Sequence, residues 1–289
     1  MPELPEVETT VRSLRKKVLG RTFIDCWIGA PKIVKKPKNI KQFKREIKNK
    51  KIQKLWRRGK NVLIQLSGEK TLLIHQKISG HLLFGKWKKK QNSWHAPAGP
   101  LADRINDFIR VIFIFKDGQM LALSDLRKFA KIELWGTDEL LDSPSFKKLG
   151  PEPLEKEFNL SRFKRILEGK KGKVKQVLMN QEVITGIGNI YSDEILFRAR
   201  IHPLRKVNSL KPEELKRIYL AIKVILKKAI EMKGDSFSDY RIPSGEKGGF
   251  QEKTRVYQRE GEECFNCKAL IKRIKVGGRS AHFCPRCQK

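Results

Sequence analysis

The chain has 289 residues, room for two domains with their own cores. Lysine and arginine number 64 against 31 acids, a net charge of +33. That balance points to a polyanionic partner, nucleic acid ahead of an anionic membrane, and no apolar run approaches the ~20 residues of a membrane span.

The first residues, MPELPEVETT, are acidic and polar rather than a signal peptide, so the expected location is the cytoplasm. They also carry the first candidate chemistry. Without Met1 the chain begins at Pro2, a secondary amine. Free α-amino groups have a pKa near ~8, so part of the population is uncharged at neutral pH and can attack electrophilic carbon. Glu3 is adjacent and could move protons. While Met1 remains, that nucleophile is blocked. Pro5 suits a first helical turn, and Glu6 and Glu8 suit the positive end of a helix. Val7, Val11, Leu14 and Val18 then recur at helical spacing.

Residues 22–135 read mainly as strands: TFIDCWIG, NVLIQL, TLLIHQKI, FIRVIFIF, QMLALS and KIELW, separated by charged or glycine-containing turns. They predict a sandwich or barrel with the first helix packed on it, an N-terminal domain over 1–135. Lysine-rich stretches at 31–60 and 86–90 read as exposed interruptions. By residue type alone, Lys60 is a turn lysine, Ile78 a core strand residue, Arg127 a solvated charge and Phe129 a core residue.

Residues 136–158 contain Pro144, Pro151 and Pro153 and read as a linker. A helical period covers 159–234, with helices ending near Leu167, over Val174–Met179, from Asn189 to Ala199, and from after Ser209 to near Gly234. Gly186 and Gly188 precede the third, whose first amides could meet a phosphate. Residues 235–261 are polar and glycine-rich and read as a mobile, unpacked loop. The last segment, 262–289, holds Cys264-x-x-Cys267 and Cys284-x-x-Cys287, the spacing of a closed structural zinc site. Two disulfides are the alternative and need an oxidising compartment. Cys26 is left over and reads as a buried strand residue. Gly277 and Gly278 predict a hairpin turn that projects Arg279.

Several of these strings together resemble the bacterial formamidopyrimidine-DNA glycosylases, which remove oxidised purines from DNA. They are PELPEVE, HQKISG against HLGMSG, SDLRKFA against D-x-R-[RK]-F-G, LGPEPL, TGIGNIYSDEILFRARIHP, VYQREG and CPRCQK. The resemblance implies an α+β chain of two domains: an N-terminal β-sandwich with flanking helices, and a C-terminal helix–two-turns–helix bundle plus zinc-ribbon hairpin. It implies that Pro2 is the nucleophile, Glu3 the proton shuttle and Glu6 a supporting acid. Lys60 and Arg279 would bind phosphates at the lesion. His75 and Ile78 lie in the segment that fills the vacated stack, where the family has methionine at position 78. Arg127 would pair with the orphaned cytosine, and Phe129 would wedge the duplex. Asn189 would bind a backbone phosphate, Lys175 would be a further DNA-contacting lysine, and residues 236–250 would touch the lesion in the region that closes over the extruded base. Three departures stand out: Ile78 itself, Ala130 where the family has glycine, and RINDF at 104–108 in place of a histidine-rich entry.

The implied activity is a bifunctional DNA glycosylase/AP lyase, working through a Schiff base and β,δ-elimination. It would act as a monomer on double-stranded DNA containing oxidised bases, with one structural zinc. The alternatives are the related endonuclease for oxidised pyrimidines and a catalytically silent zinc-containing DNA-binding protein.

Overall fold

The structure is a computed structural model that describes residues 1–91 and 93–289. The chain folds into two compact units, Met1–Lys147 with Met232–Gln251, and Lys148–Glu231 with Glu252–Lys289.

The first unit opens with α1 (Leu4–Val18), preceded by Glu3 as N-cap. Glu3 and Glu6 form a reciprocal capping box, and Pro5 lies in the first turn, where its missing N–H costs nothing. Val7, Val11, Leu14 and Val18 are fully buried on one face. There follow β1 (Phe23–Ile28), β2 (Val34–Lys36), α2 (Ile40–Ile47), β3 (Ile52–Arg58), β4 (Asn61–Leu66), β5 (Lys70–His75) and β6 (His81–Gly85). The remaining elements are β7 (Lys88–Lys90), β8 (Ser93–His95), β9 (Ile109–Phe115), β10 (Met120–Ser124), β11 (Lys131–Gly136), α3 (Thr137–Asp142) and α4 (Pro144–Lys147). One sheet has the order β1-β9-β10-β6, the other β2-β11-β5-β4-β3. Their facing side chains share one core with α1, in which Phe23 stacks on Phe115 at 5.0 Å. Cys26 is buried in that core, and burial pushes its thiol up to about 11.

The lysine-rich stretch 31–60 is not an exposed interruption. It contains β2, α2 and β3. Asn39 caps α2 by accepting the Gln42 N–H at 3.0 Å, and Phe43 and Ile47 are fully buried beneath its lysines. In β3 a register shift between Ile52 and Lys54 breaks the alternation, so Ile52 and Leu55 both reach the core at odd spacing. The run at 136–147 is likewise folded: Leu140 is buried and packs with Leu63 and Leu73.

The second unit contains α5 (Leu160–Leu167), α6 (Val174–Met179), α7 (Asn189–Ala199), α8 (Pro212–Glu231) and the hairpin β12 (Lys272–Val276) with β13 (Arg279–Phe283). α7 is buried along nearly its whole length, including Asp193 and Glu194. Glu194 is satisfied by the backbone N–H groups of Arg255, Val256 and Tyr257 at 2.9–3.0 Å. Among the described residues, no helix is long and apolar enough to cross a membrane.

The glycine-rich run after α8 is not a loose loop. Its first part packs into the first unit, with Tyr240, Ile242 and Phe250 buried. A few well-spaced apolar anchors are enough to fix a segment whose composition is otherwise that of a loop.

Candidate active site and nucleic-acid interface

The start of the chain is held rather than frayed. Pro2, Glu3 and Glu6 are all buried. The backbone N–H of Glu3 donates to Glu6 Oε2 at 2.7 Å, and the backbone N–H of Asp235 donates to Glu6 Oε1 at 2.8 Å. The Tyr240 hydroxyl donates to the Glu6 carbonyl at 3.0 Å. Glu6 therefore pins the Pro2–Glu3 peptide on one side and the segment 232–251 on the other. That segment is fixed again by Arg241, paired with Asp103 at 3.2 Å, and by Phe84 N–H donating to Pro243 at 2.8 Å. Burial, then Glu6 and Glu3, push the Asp235 carboxyl up to about 7. Asp235 and Tyr240 carry no sequence motif that would have flagged them. Their signal is contact across more than 200 residues of chain.

Lys60 lies in the tight turn joining β3 to β4, beside Gly59, and is buried rather than solvated. His75 closes β5. Its ring accepts the Lys77 N–H through Nδ1 at 3.0 Å, and burial with nearby lysines pushes it down to about 3. It is a neutral imidazole at physiological pH. Gln76, where the family has leucine, is buried, and neither amide atom has a hydrogen-bond partner among the described residues.

The two loops expected to enter the stack are joined by one carboxylate. Asp125 accepts the Ser79 hydroxyl and, through Oδ2, the Ala130 N–H at 2.8 Å. Ser79 Oγ in turn accepts the Arg127 N–H at 3.0 Å. This cradle leaves Ile78, Leu126, Arg127 and Phe129 exposed, with the Arg127 guanidinium 5.0 Å from the Phe129 ring centre. Ile78 and Phe129 are thus surface residues, not the core residues that their types suggest. Leu126 is a further exposed apolar residue that sequence reasoning passed over. The left-handed residue of the loop is Lys128 (φ 56°), so alanine at 130 demands no glycine geometry.

In the second unit, Asn189 begins α7 just after Gly188. Its turn is braced by Gln181, which accepts the Gly186 N–H at 2.9 Å and donates to the carbonyls of Met179 and Ile187 at 2.7 and 2.8 Å. Lys175 does not face outward. Its side chain is fully buried, paired with Asp193 at 2.6 Å and donating to the Ser280 carbonyl at 2.7 Å. In this position Lys175 holds β13, the strand that begins at Arg279. Arg279 is exposed beside that turn, where Gly277 and Gly278 both have positive φ. Gly277 has a φ of 57°, a conformation that strains other residues, and a Cβ there would displace the Gln176 side chain.

The four cysteines 264, 267, 284 and 287 converge with all Sγ atoms within 4.8 Å of one another. The separations of 3.9 Å (Cys264 to Cys287) and 3.4 Å (Cys267 to Cys284) exceed a disulfide bond of ~2.05 Å. They are close to the ~3.8 Å edge of a tetrahedron built on 2.3 Å Zn–S bonds. The donor set fits one structural zinc ion and leaves no open coordination position for catalysis.

The comparisons with known proteins cover the whole chain. Residues 1–132 match the formamidopyrimidine-DNA glycosylase N-terminal domain, 149–241 its H2TH domain, and 261–289 the zinc finger found in FPG and IleRS. The end of the H2TH match, at 241, falls inside the segment that packs into the first unit. A formamidopyrimidine-DNA glycosylase of Heliobacterium modesticaldum is 40% identical over 100% of both chains. That of Pelotomaculum thermopropionicum is 40% identical over 100% of this chain and 99% of its own. Among solved structures, a Lactococcus lactis FPG mutant in complex with Fapy-dG-containing DNA is 35% identical, covers 100% of both chains and superposes with a TM-score of 0.87. The same bacterium's Fpg bound to abasic-site DNA is 34% identical over 99% of each chain, with a TM-score of 0.87. This chain belongs to the formamidopyrimidine-DNA glycosylase family.

Proposed function

We propose that the protein is a bifunctional DNA glycosylase/AP lyase that excises oxidised purines from duplex DNA. The observation that carries the reading is the anchored terminus: Glu6 and the capping box hold the Pro2–Glu3 peptide in one buried geometry. A nucleophile fixed in this way has already given up the freedom that a frayed terminus would lose on reacting. The Lactococcus lactis complexes with Fapy-dG and abasic DNA support the same substrate class.

With Met1 removed, the Pro2 nitrogen attacks the anomeric carbon of the damaged nucleotide. The base leaves with the electron pair of the glycosidic bond, and an imine joins Pro2 to the sugar. Glu3 moves protons between these steps, and β- then δ-elimination break the strand. Lys60 and Arg279 contact phosphates, Arg279 with the two-pronged fork of its guanidinium. Asn189 contacts the backbone at the start of α7. Ile78, Arg127 and Phe129 occupy the gap left by the extruded nucleotide, as their exposure permits. Zinc holds the hairpin together. The protein acts as a monomer in the cytoplasm, where its cysteines stay reduced.

Borohydride trapping followed by intact-mass measurement tests the reading. The Met1-free protein should form a covalent adduct with a duplex carrying 8-oxoguanine opposite cytosine. Pro2→Gly should lower trapping by at least about tenfold, since a primary amine replaces the ring nitrogen. Preferential trapping on thymine glycol would assign the pyrimidine activity instead. Binding without any adduct would make the protein a passive DNA binder.

A further inference from the structure

The anchored terminus contains a carboxyl that the reaction above does not use. Asp235 is 5% exposed. Its Oδ1 accepts the Phe237 N–H at 3.0 Å, while Oδ2 is buried with no hydrogen-bond partner among the described residues. An ionised carboxylate left in that state carries the full penalty of an unsatisfied buried charge. The neutral acid carries far less. The backbone around Asp235 is held: its own N–H donates to Glu6 Oε1 at 2.8 Å, and the Gly234 carbonyl accepts the Phe250 N–H at 3.0 Å. The titratable groups set against Asp235 are Glu6 and Glu3 at the start of α1 and the amino terminus. Tyr240 approaches from the same segment and donates to the Glu6 carbonyl at 3.0 Å. Glu6 accepts the Asp235 backbone N–H, and two neighbouring carboxyls shielded from water ionise in sequence, not together.

We propose that Asp235 is a positioning residue for the reaction: its carboxyl holds a proton, and in that neutral state Glu6 stays ionised and bridges the Glu3 and Asp235 N–H groups. When Asp235 ionises, a second anion is forced against Glu6. The bridge then weakens, and with it the fixed placement of the Pro2–Glu3 peptide. The inference rests on the reading of Pro2 as nucleophile, and it predicts an alkaline limb in the reaction that belongs to Asp235 rather than to the amine.

The test is single-turnover borohydride trapping by Met1-free protein on the 8-oxoguanine duplex between pH 5.5 and 9. Wild type is compared with Asp235→Asn and Asp235→Ser. The wild-type rate should fall roughly tenfold between pH 6 and 8.5, with a midpoint near neutrality. Asp235→Asn keeps an acceptor for the Phe237 N–H and cannot ionise, so its profile should lack that fall. Asp235→Ser gives the same readout should the asparagine variant fold poorly. Separately, the Asp235 carboxyl carbon is followed by NMR in the protein without DNA. Its midpoint should be near neutrality and should move down in Glu6→Gln. Superimposable wild-type and variant profiles, or a carboxyl that titrates like an ordinary aspartate, overturn the proposal. A wild type that traps nothing at any pH overturns the proposed function instead, and the NMR titration still decides on Asp235.

Discussion

The Lys175 ammonium lies 2.6 Å from the Asp193 carboxylate, and both side chains are sealed from solvent. Asp193 Oδ2 also accepts the His282 N–H at 2.9 Å. With the bond from Lys175 to the Ser280 carbonyl, α6 and α7 are tied to β13, the strand that begins at Arg279. Removing one partner strands the other charge in the interior, which costs about 3–5 kcal/mol. Lys175→Met should therefore unfold at markedly lower urea, and the Lys175→Met/Asp193→Asn pair should recover part of the loss. Denaturation curves of the three variants check this.

Arg279 itself is exposed, so its removal should leave stability nearly untouched. Arg279→Ala should weaken duplex binding and reduce the slope of log K against log salt by about 1. Fluorescence anisotropy at several salt concentrations measures both.

Asp125 links the segment carrying Ile78 to the loop carrying Arg127 and Phe129. Asp125→Ala leaves the Ser79 hydroxyl and the Ala130 N–H without their acceptor, at a cost of about 1–3 kcal/mol. The exposed trio then loses its fixed placement. The expected result is a modest drop in melting temperature together with a larger loss of preference for cytosine opposite the lesion. Calorimetry and competition between opposite bases report the two effects.

The raised Asp235 pKa also has a sign in stability. The folded protein holds that proton up to about pH 7, whereas the unfolded chain releases it near the ordinary aspartate value of ~3.9. Between these values the folded state binds more protons, so stability falls as pH rises from about 4 to about 7 and is flat above. Asp235→Asn escapes this loss. It should match wild type near pH 4 and exceed it at pH 8 by an amount on the order of 1–4 kcal/mol. Urea midpoints at the two pH values decide it.

Removing zinc should act on one part of the molecule. Chelation, or Cys267→Ser, should release about one zinc per chain and unfold the hairpin that bears Arg279. Duplex affinity should fall at least about tenfold, while α1 and the two sheets of the first unit keep their hydrogen-exchange protection. Metal assay, gel shift and exchange mass spectrometry check the three parts.

Much of this protein is legible in its residues. The valine stripe of α1 and the strand runs have periods that a single interior enforces. The Cys-x-x-Cys pairs bring their own ligand chemistry, and the helices from 159 to 231 follow their apolar spacing. What composition hides is equally specific. In 31–60, lysines on the outer face mask Phe43, Ile47, Ile52 and Leu55 on the inner one, and a bulge disturbs the strand period.

Which side chains are exposed or buried is decided by folding alone. Ile78 and Phe129 look like core and stand in solvent; Lys60 and Lys175 look like solvent and lie inside. The partnership of Glu6 with Asp235 spans 229 positions. No local pattern records such a contact, because it exists only once the chain has closed and water has been excluded from both carboxyls. The sequence determined the parts and their chemistry; the tertiary structure decided their burial, and burial sets which groups hold charge.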